Sequence, residues 1–476
     1  LQTRLLQLRL CTRMCATRLP FRFGISTMTE APMLTAALEV ATEFGTVTGY
    51  SAELLVPKWF AKNPTTDVAD DNRDLMRAAV RAHQVMRDHE SPDATAFQHW
   101  MRAQMQCVEA AGEGTPRLVA MFGVALVERA MIDATCRAAG KSFHGALTED
   151  LFRVRFGAIE KRLAGWSAAD LGEPTDSVRV RHTVGLVDAL EPIEVPADAH
   201  RGDDHPLSLV DDIRAYGLDC FKLKVSGNEV ADLARLEMIA SLTPPGASFT
   251  IDGNEQYPEP GALADVLDEL EERGHADAIL GGLLAIEQPV ARARTFDPEA
   301  AEGIARLRSR APVIIDEADA DLGAYPRARE LGYGGVSMKA CKGVFRALLN
   351  RARIEADGEG LQSAEDLTNL PVLPLHQDLA VVASLGLPHV ERNGHHYFRG
   401  QSHLSAVERE HLAQHHASLY QRTADGDLWL DIQDGRLDLR SLQRSSETVR
   451  EGEGRTTAGF GYDGPIDMEN GTAPQL

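Results

Sequence analysis

Between Leu5 and about Leu55 the pattern is strand-like: Leu6, Leu8 and Leu10 alternate with polar residues, and Met33 to Thr42 is rich in apolar side chains. A period of two marks a strand with one buried face. A turn at Glu43-Phe44-Gly45 and a return through Val47 to Leu55 then open the chain with an antiparallel sheet. Leu19-Pro20-Phe21-Arg22-Phe23-Gly24 reads as a loop between the first two strands, packed on its own sheet or covering a pocket. The period next lengthens to three and four. Asp71 to His89, Ala94 to Gly112 and Leu118 to Gly140 each have the length and apolar spacing of a helix. Sheet first and helices second predict an α+β unit over residues 1–150, and Ser167 to Ser177, with Gly172 and Pro174, reads as a connection.

From about Arg181 short apolar runs alternate with helical segments. Val184 to Val187, Phe221 to Val225, Phe249 to Ile251, Leu283 to Ile286, Val313 to Ile315 and Val336 to Met338 are strand candidates. Between them lie helices such as the one carrying Leu263, Val266, Leu267 and Leu270. Gly360 to Ser363, the helix Leu375 to Leu385 and His389 to Arg392 complete eight strands, which favours a closed parallel barrel over 181–400 rather than an open sheet. Beyond Phe398 the units stop. Leu428 to Ile432, Asp434-Gly435 and Leu437 to Leu439 read as a hairpin, and Ser445 to Gly454 is polar enough to be mobile. The segment 401–476 is expected to pack back on the first unit.

Composition narrows the function. Hydrophobic residues at 43% and charged residues at 25% of 476 are ordinary for a globular protein. A net charge of -22 argues against general affinity for nucleic acid or anionic membranes. No uninterrupted apolar run reaches the roughly 18 residues of a membrane span. The six cysteines are scattered, without a CxxC pair, so a reducing, cytoplasmic setting is expected. Arg4, Arg9, Arg13 and Arg18, with no acid among the first nineteen residues, have the flavour of a transit peptide, but the alternation of leucines argues for a strand.

The candidate chemistry stands at strand ends, where a barrel places its active groups. Asp252 follows Phe249-Thr250-Ile251, Glu287 follows Leu284-Ala285-Ile286, and Asp316 follows Val313-Ile314-Ile315. Lys222 and Lys224 share one face of the strand before them, and Lys339 ends the strand after them. One Asp at a strand end is equally well a helix N-cap; three consecutive units ending alike point to a shared ligand. Oxygen-only ligands select a hard dication, Mg2+ first and Mn2+ next. A lysine beside such an ion and partly removed from water has its charged form disfavoured and can serve as a general base. Two facing lysines could take the proton α to a substrate carboxylate and return it from the other side, with the metal stabilising the enolate.

The motifs Lys222-x-Lys224, Asp252-x-Asn254, Ile286-Glu287-Gln288-Pro289, Asp316-Glu317 and Lys339-x-x-Lys342 resemble, in order and spacing, the muconate-lactonizing-enzyme-like branch of the enolase superfamily. Glu128-Arg129-Ala130-Met131-Ile132-Asp133 resembles the helix that closes that family's capping domain. The resemblance implies an α/β fold, a modified (β/α)8 TIM-type barrel with an α+β cap built from the N-terminal region and the C-terminal tail. It also implies Asp252, Glu287 and Asp316 as magnesium ligands, Lys224 and Lys339 as the acid/base pair, and Lys222 as an electrostatic helper. A small-molecule carboxylate as substrate and a homo-oligomer are expected.

Three features depart from the family pattern. Gly343-Val344-Phe345 replaces paired glycines, Glu391-Arg392-Asn393 stands where dipeptide epimerases carry Asp-x-Asp, and no histidine matches the mandelate-racemase base, His376 lying within a helix. Phe21, Arg22, Asn254, Asn369, Arg392 and Asn393 are candidate substrate contacts, and either arginine would suit a second carboxylate. A racemase or epimerase leads these readings; a cycloisomerase or dehydratase on the same site, a Schiff-base aldolase and a non-catalytic binding relative are the alternatives.

Overall fold

The computed structural model describes residues 1–23, 26–89, 92–112, 114–196, 205–274, 276–423, 426–443 and 459–474. Four strands, β1 (Gln2–Phe23), β2 (Ser26–Thr42), β3 (Gly45–Leu54) and β4 (Ala94–Thr95), form an antiparallel sheet in the order β3-β2-β1-β4. Phe21 and Arg22 belong to β1, paired with Met28 and Thr27, so the expected loop is instead the tip of a long hairpin. The pairing shifts register between Ala16 and Phe21 and then resumes.

Helices Val68–Arg87, Ala96–Ala103 and Arg117–Ala139 cover this sheet. The second runs on as a π-helical turn over Gln104–Glu109. Helix Arg117–Ala139 is buried on nearly every face and ends at Gly140, whose φ of +66° suits a glycine C-cap. Its close approach to the sheet needs Gly49: a Cβ there would lie 2.1 Å from the Ala130 carbonyl oxygen. Among the described residues no helix is long and apolar enough to cross a membrane.

Eight parallel strands form the second body: β5 (Ser177–Val184), β6 (Cys220–Lys224), β7 (Ser248–Asp252), β8 (Leu283–Glu287), β9 (Val313–Ile315), β10 (Gly335–Met338), β11 (Leu361–Ala364) and β12 (His389–Arg392). They hydrogen-bond in chain order, and β12 pairs back onto β5 to close the barrel. The first of them corrects the sequence reading, because β5 ends at Val184, where the expected strand began. Its inward positions are Arg181 and Thr183, so it offers no continuous apolar run.

After the barrel, β13 (Tyr420–Arg422) pairs with β14 (Leu428–Leu430), while β15 (Arg436–Asp438) lies antiparallel on β5. The expected hairpin of residues 428–439 is therefore two strands with different partners. Thr472 bridges to Thr12, and Phe460 stacks on Phe143 with ring centroids 4.4 Å apart. The tail thus touches both bodies. The stretch Ser445 to Gly454 lies outside the described residues.

Candidate active site

Strand register sets the level of each group at the barrel mouth. Lys224, Asp252 and Glu287 are register partners across β6, β7 and β8, so all three stand in one layer on the inner face. Lys222 lies one layer deeper, level with Thr250. Glu287 is level with Ile314, which puts Asp316 two residues, about 6.6 Å of strand, farther along. Asn254, Glu255 and Gln288, just past the strand-end carboxylates, have φ of +41°, +66° and +34°. These left-handed residues turn the chain sharply and cost strain that surrounding bonds must hold. Gln288 supplies some of them: its Oε1 accepts from the backbone N–H groups of Asp316 and Ala318, at 2.9 and 3.1 Å.

The charges are buried and interlocked. Lys222 Nζ sits 3.0 Å from Asp252, 2.7 Å from Glu287, 2.7 Å from Glu365 and 2.9 Å from Glu391. Lys224 lies 2.5 Å from Asp252 Oδ2, and Lys339 lies 2.5 Å from Asp316 Oδ2. Lys342 donates to Ser337 Oγ at 2.6 Å and reaches Asp316 at 3.3 Å.

Burial pushes the pKa of Asp252 up, but Lys222 and then Lys224 bring it below the ordinary range. Asp316 is held well below that range, Lys339 and Lys342 overcoming its burial. Glu287 goes the other way: burial, then the charges of Asp252 and Glu365, raise it well above the usual value, and Lys222 offsets them only in part. Lys339 is pulled both ways. Burial lowers its pKa, yet Asp316 and Glu287 more than reverse the effect, so it is raised. Those two carboxylates hold the ammonium.

Both oxygens of Glu287 are fully buried and accept no hydrogen bond; the 2.7 Å approach of Lys222 is an ion pair out of line for one. A carboxylate left this way beside two others is a donor set that fits a hard dication. Asp252, Glu287 and Asp316 are not, however, among the described sets of three whose ligand atoms lie within 4.8 Å of one another; those are His182/Asp212/His395 and His411/His416/Asp463. The lysine ammoniums stand between the carboxylates, and Asp316 is the one offset along the register.

A small cavity of about 30 Å3 opens over this layer, lined by Phe21, Val56, Trp59, Lys224, Asn254, Lys339, Asp366, Leu367, Thr368, Glu391 and Asn393. Of the expected substrate contacts, Phe21, Asn254 and Asn393 line it. Arg22 is exposed on the hairpin. Asn369 and Arg392 line a separate small cavity, and Arg392 is buried against Asp378 at 2.5 Å, which removes it as a clamp for a second carboxylate here. A larger cleft between helices Val68–Arg87 and Arg117–Ala139 contains none of the mouth groups.

The cap completes the chamber. Trp59 stands 4.5 Å, ring centroid to Nζ, from Lys339, and its Nε1 is buried without a hydrogen-bond partner. Arg292 ties the cap's Trp59 and Phe60 carbonyls to Glu255 of the barrel loop. Glu365, Glu391 and Trp59 were missed from sequence. Glu365 directly follows β11 and Glu391 lies within β12, but neither strand is an apolar run. Trp59 is brought in by tertiary packing alone.

An antiparallel cap over the charged mouth of a closed (β/α)8 barrel is a fold that this chain shares with solved enzyme structures. Solved structures that share it include a dipeptide epimerase from Enterococcus faecalis complexed with magnesium and L-Leu-L-Tyr (TM-score 0.59, 14% identity, 96% of this chain and 99% of that one). A muconate lactonizing enzyme from Pseudomonas fluorescens complexed with muconolactone gives 0.57 and 15%, over 92% and 94%. An enolase from Bradyrhizobium complexed with magnesium and mandelic acid gives 0.58 and 14%, over 92% and 94%. No family model and no curated protein matches the sequence, so the likeness is one of fold.

Proposed function

We propose that this protein is a magnesium-dependent isomerase, a racemase or epimerase that inverts the carbon α to a carboxylate of a small substrate. The observation that carries the reading is the pair Lys224 and Lys339, which line one cavity from β6 and from the end of β10, each tied at 2.5 Å to its own strand-end carboxylate. Asp252, Glu287 and Asp316 would hold the ion. When bound, magnesium would supply Lewis-acid neutralisation of the charge that grows on the substrate carboxylate.

The chain's own groups do the rest. One lysine, as the free amine, takes the α-proton, and the other, as the ammonium, delivers a proton to the opposite face; inversion exchanges their states. Lys222 stays an ammonium, since Asp252, Glu287, Glu365 and Glu391 raise its pKa well above the ordinary value against the pull of burial. It balances charge and moves no proton. Trp59 Nε1 and Asn393 Oδ1, both buried in the cavity wall and unpartnered, are positioned to bond the far part of a substrate, and Phe21 and Trp59 exclude water. The solved relatives, which bind a dipeptide, muconolactone or mandelic acid, support a small carboxylate as the ligand class.

The test is a panel of N-acylamino acids, dipeptides and sugar acids incubated in D2O with magnesium. Inversion accompanied by deuterium at the α-carbon is expected. Exchange with retained configuration would leave a one-base reaction, cycloisomerisation or dehydration; covalent trapping by borohydride with activity surviving chelation would leave an aldolase.

A further inference from the structure

His182, Asp212, His395 and His396 gather on the outer side of the barrel wall. Along β5, Arg181 and Thr183 point inward, where they bond Glu365 at 2.5 Å and Glu391 at 2.7 Å. His182, between them, therefore points out. It meets Asp212 from helix Leu209–Tyr216 and the two histidines of the short helix Gly394–Tyr397. All four are at least nine-tenths buried. His182 Nδ1 is 3.0 Å from His395 Nε2, and His182 Nε2 is 3.7 Å from Asp212 Oδ2.

The group is not internally satisfied. His396 Nδ1 pairs with Asp212 Oδ2 at 2.9 Å, which leaves Asp212 Oδ1 buried without a partner. Nδ1 of His395 is buried without a partner as well. Unpaired buried polar atoms are costly, and their presence in a cluster of metal-ligating side chains points to a ligand. One ligand atom from each of His182, Asp212 and His395 lies within 4.8 Å of the others, where tetrahedral zinc bonds of about 2.0–2.1 Å need about 3.3 Å.

We propose that His182, His395 and Asp212 form a second metal site, taking a zinc-type transition-metal dication. Two imidazoles and one carboxylate favour such an ion over the hard dication that suits the oxygen-only mouth. The site cross-links the first and last β-α units where the barrel closes, and its role is to fasten that seam. His395 also lines the small cavity beside Gly400 and Trp429, which gives an ion a way in.

The test uses the full chain, stripped with a chelator, returned to excess magnesium, and titrated with Zn2+ against a chromophoric competitor. Wild type is expected to take up zinc that magnesium does not displace, to melt at higher temperature with it, and to show with Co2+ the intense visible absorption of a four-coordinate, nitrogen-ligated ion. His395→Gln and Asp212→Asn should each lose one equivalent, or weaken it at least about 100-fold. His411→Gln should keep that equivalent, which separates this site from the His411/His416/Asp463 set. Circular dichroism and the magnesium-dependent melting shift show whether the variants fold. Absence of tight zinc binding by folded wild type overturns the proposal. So does an unchanged equivalent in folded His395→Gln, or its loss in His411→Gln alone.

Discussion

Replacing Lys222 by Met keeps the stem that fills the barrel and removes the one ammonium shared by four buried carboxylates, at 2.7 to 3.0 Å. Stranding one partner of a buried ion pair costs about 3–5 kcal/mol, and the shared role of Lys222 puts the expected loss at the upper end. Two further signs follow. Without the ammonium, carboxylates such as Glu287, already raised well above the ordinary value, bind protons more tightly folded than unfolded. The folded state then carries the extra proton, so stability relative to wild type falls as pH rises and returns on acidification, by about 1.4 kcal/mol per pH unit for each proton. Magnesium, having no ammonium to displace, should also stabilise the variant more than wild type; saturation at 100 times Kd gives about 2.7 kcal/mol. Urea denaturation at about pH 7 and about pH 5.5, with and without magnesium, reads all three. A loss below about 1 kcal/mol, or a magnesium shift no larger than in wild type, would refute the view that Lys222 and the cation compete for the same carboxylates.

Lys224→Met and Lys339→Met should each abolish inversion, lowering turnover by about 100- to 10,000-fold, while each spares deuterium exchange from the enantiomer served by the remaining lysine; equal loss of exchange from both enantiomers would rule out the two-base scheme. Gly343→Ala should cost about 1–3 kcal/mol in denaturation midpoint, because φ is +102° and a Cβ would lie 2.6 Å from Glu128 Oε2, where Glu128 Oε1 accepts from Phe345 N–H at 2.6 Å. His376, its nitrogens 2.9 Å from the Gly461 carbonyl and 2.7 Å from the Tyr420 hydroxyl, is pushed by burial down to about 3. It stays neutral folded and charges on unfolding, so its contribution is complete above about pH 6.5 and falls toward pH 3 by about 1.4 kcal/mol per unit. Wild type minus His376→Gln should show that slope below pH 6.5, and parallel curves would mean that His376 is already charged in the fold.

How much of this was legible in the sequence depends on whether a residue's role is local. Asp252, Glu287 and Asp316 could be read because a parallel strand announces itself as a short apolar run, and the residue that ends it stands at the mouth whatever surrounds it. Glu365 follows the strand Leu361–Ala364 and Glu391 lies within His389–Arg392, but both strands are rich in polar residues and gave no clean run. The misplaced first strand failed for that reason: Arg181 inside the barrel pairs with Glu365, a partner 184 residues away that no local pattern reveals. Arg392 looked like a substrate clamp for want of its partner Asp378, and no local pattern marked Trp59 for the mouth. What the sequence withholds is pairing. A buried cation can neutralise a neighbour or be spare for a ligand, and only the fold tells which. At this mouth Lys224 and Lys339 are each tied to a carboxylate proposed to hold the ion, so loading the ion and freeing a lysine would be one event. Chelation should therefore silence the chemistry by returning both lysines to their carboxylates, with the fold left standing.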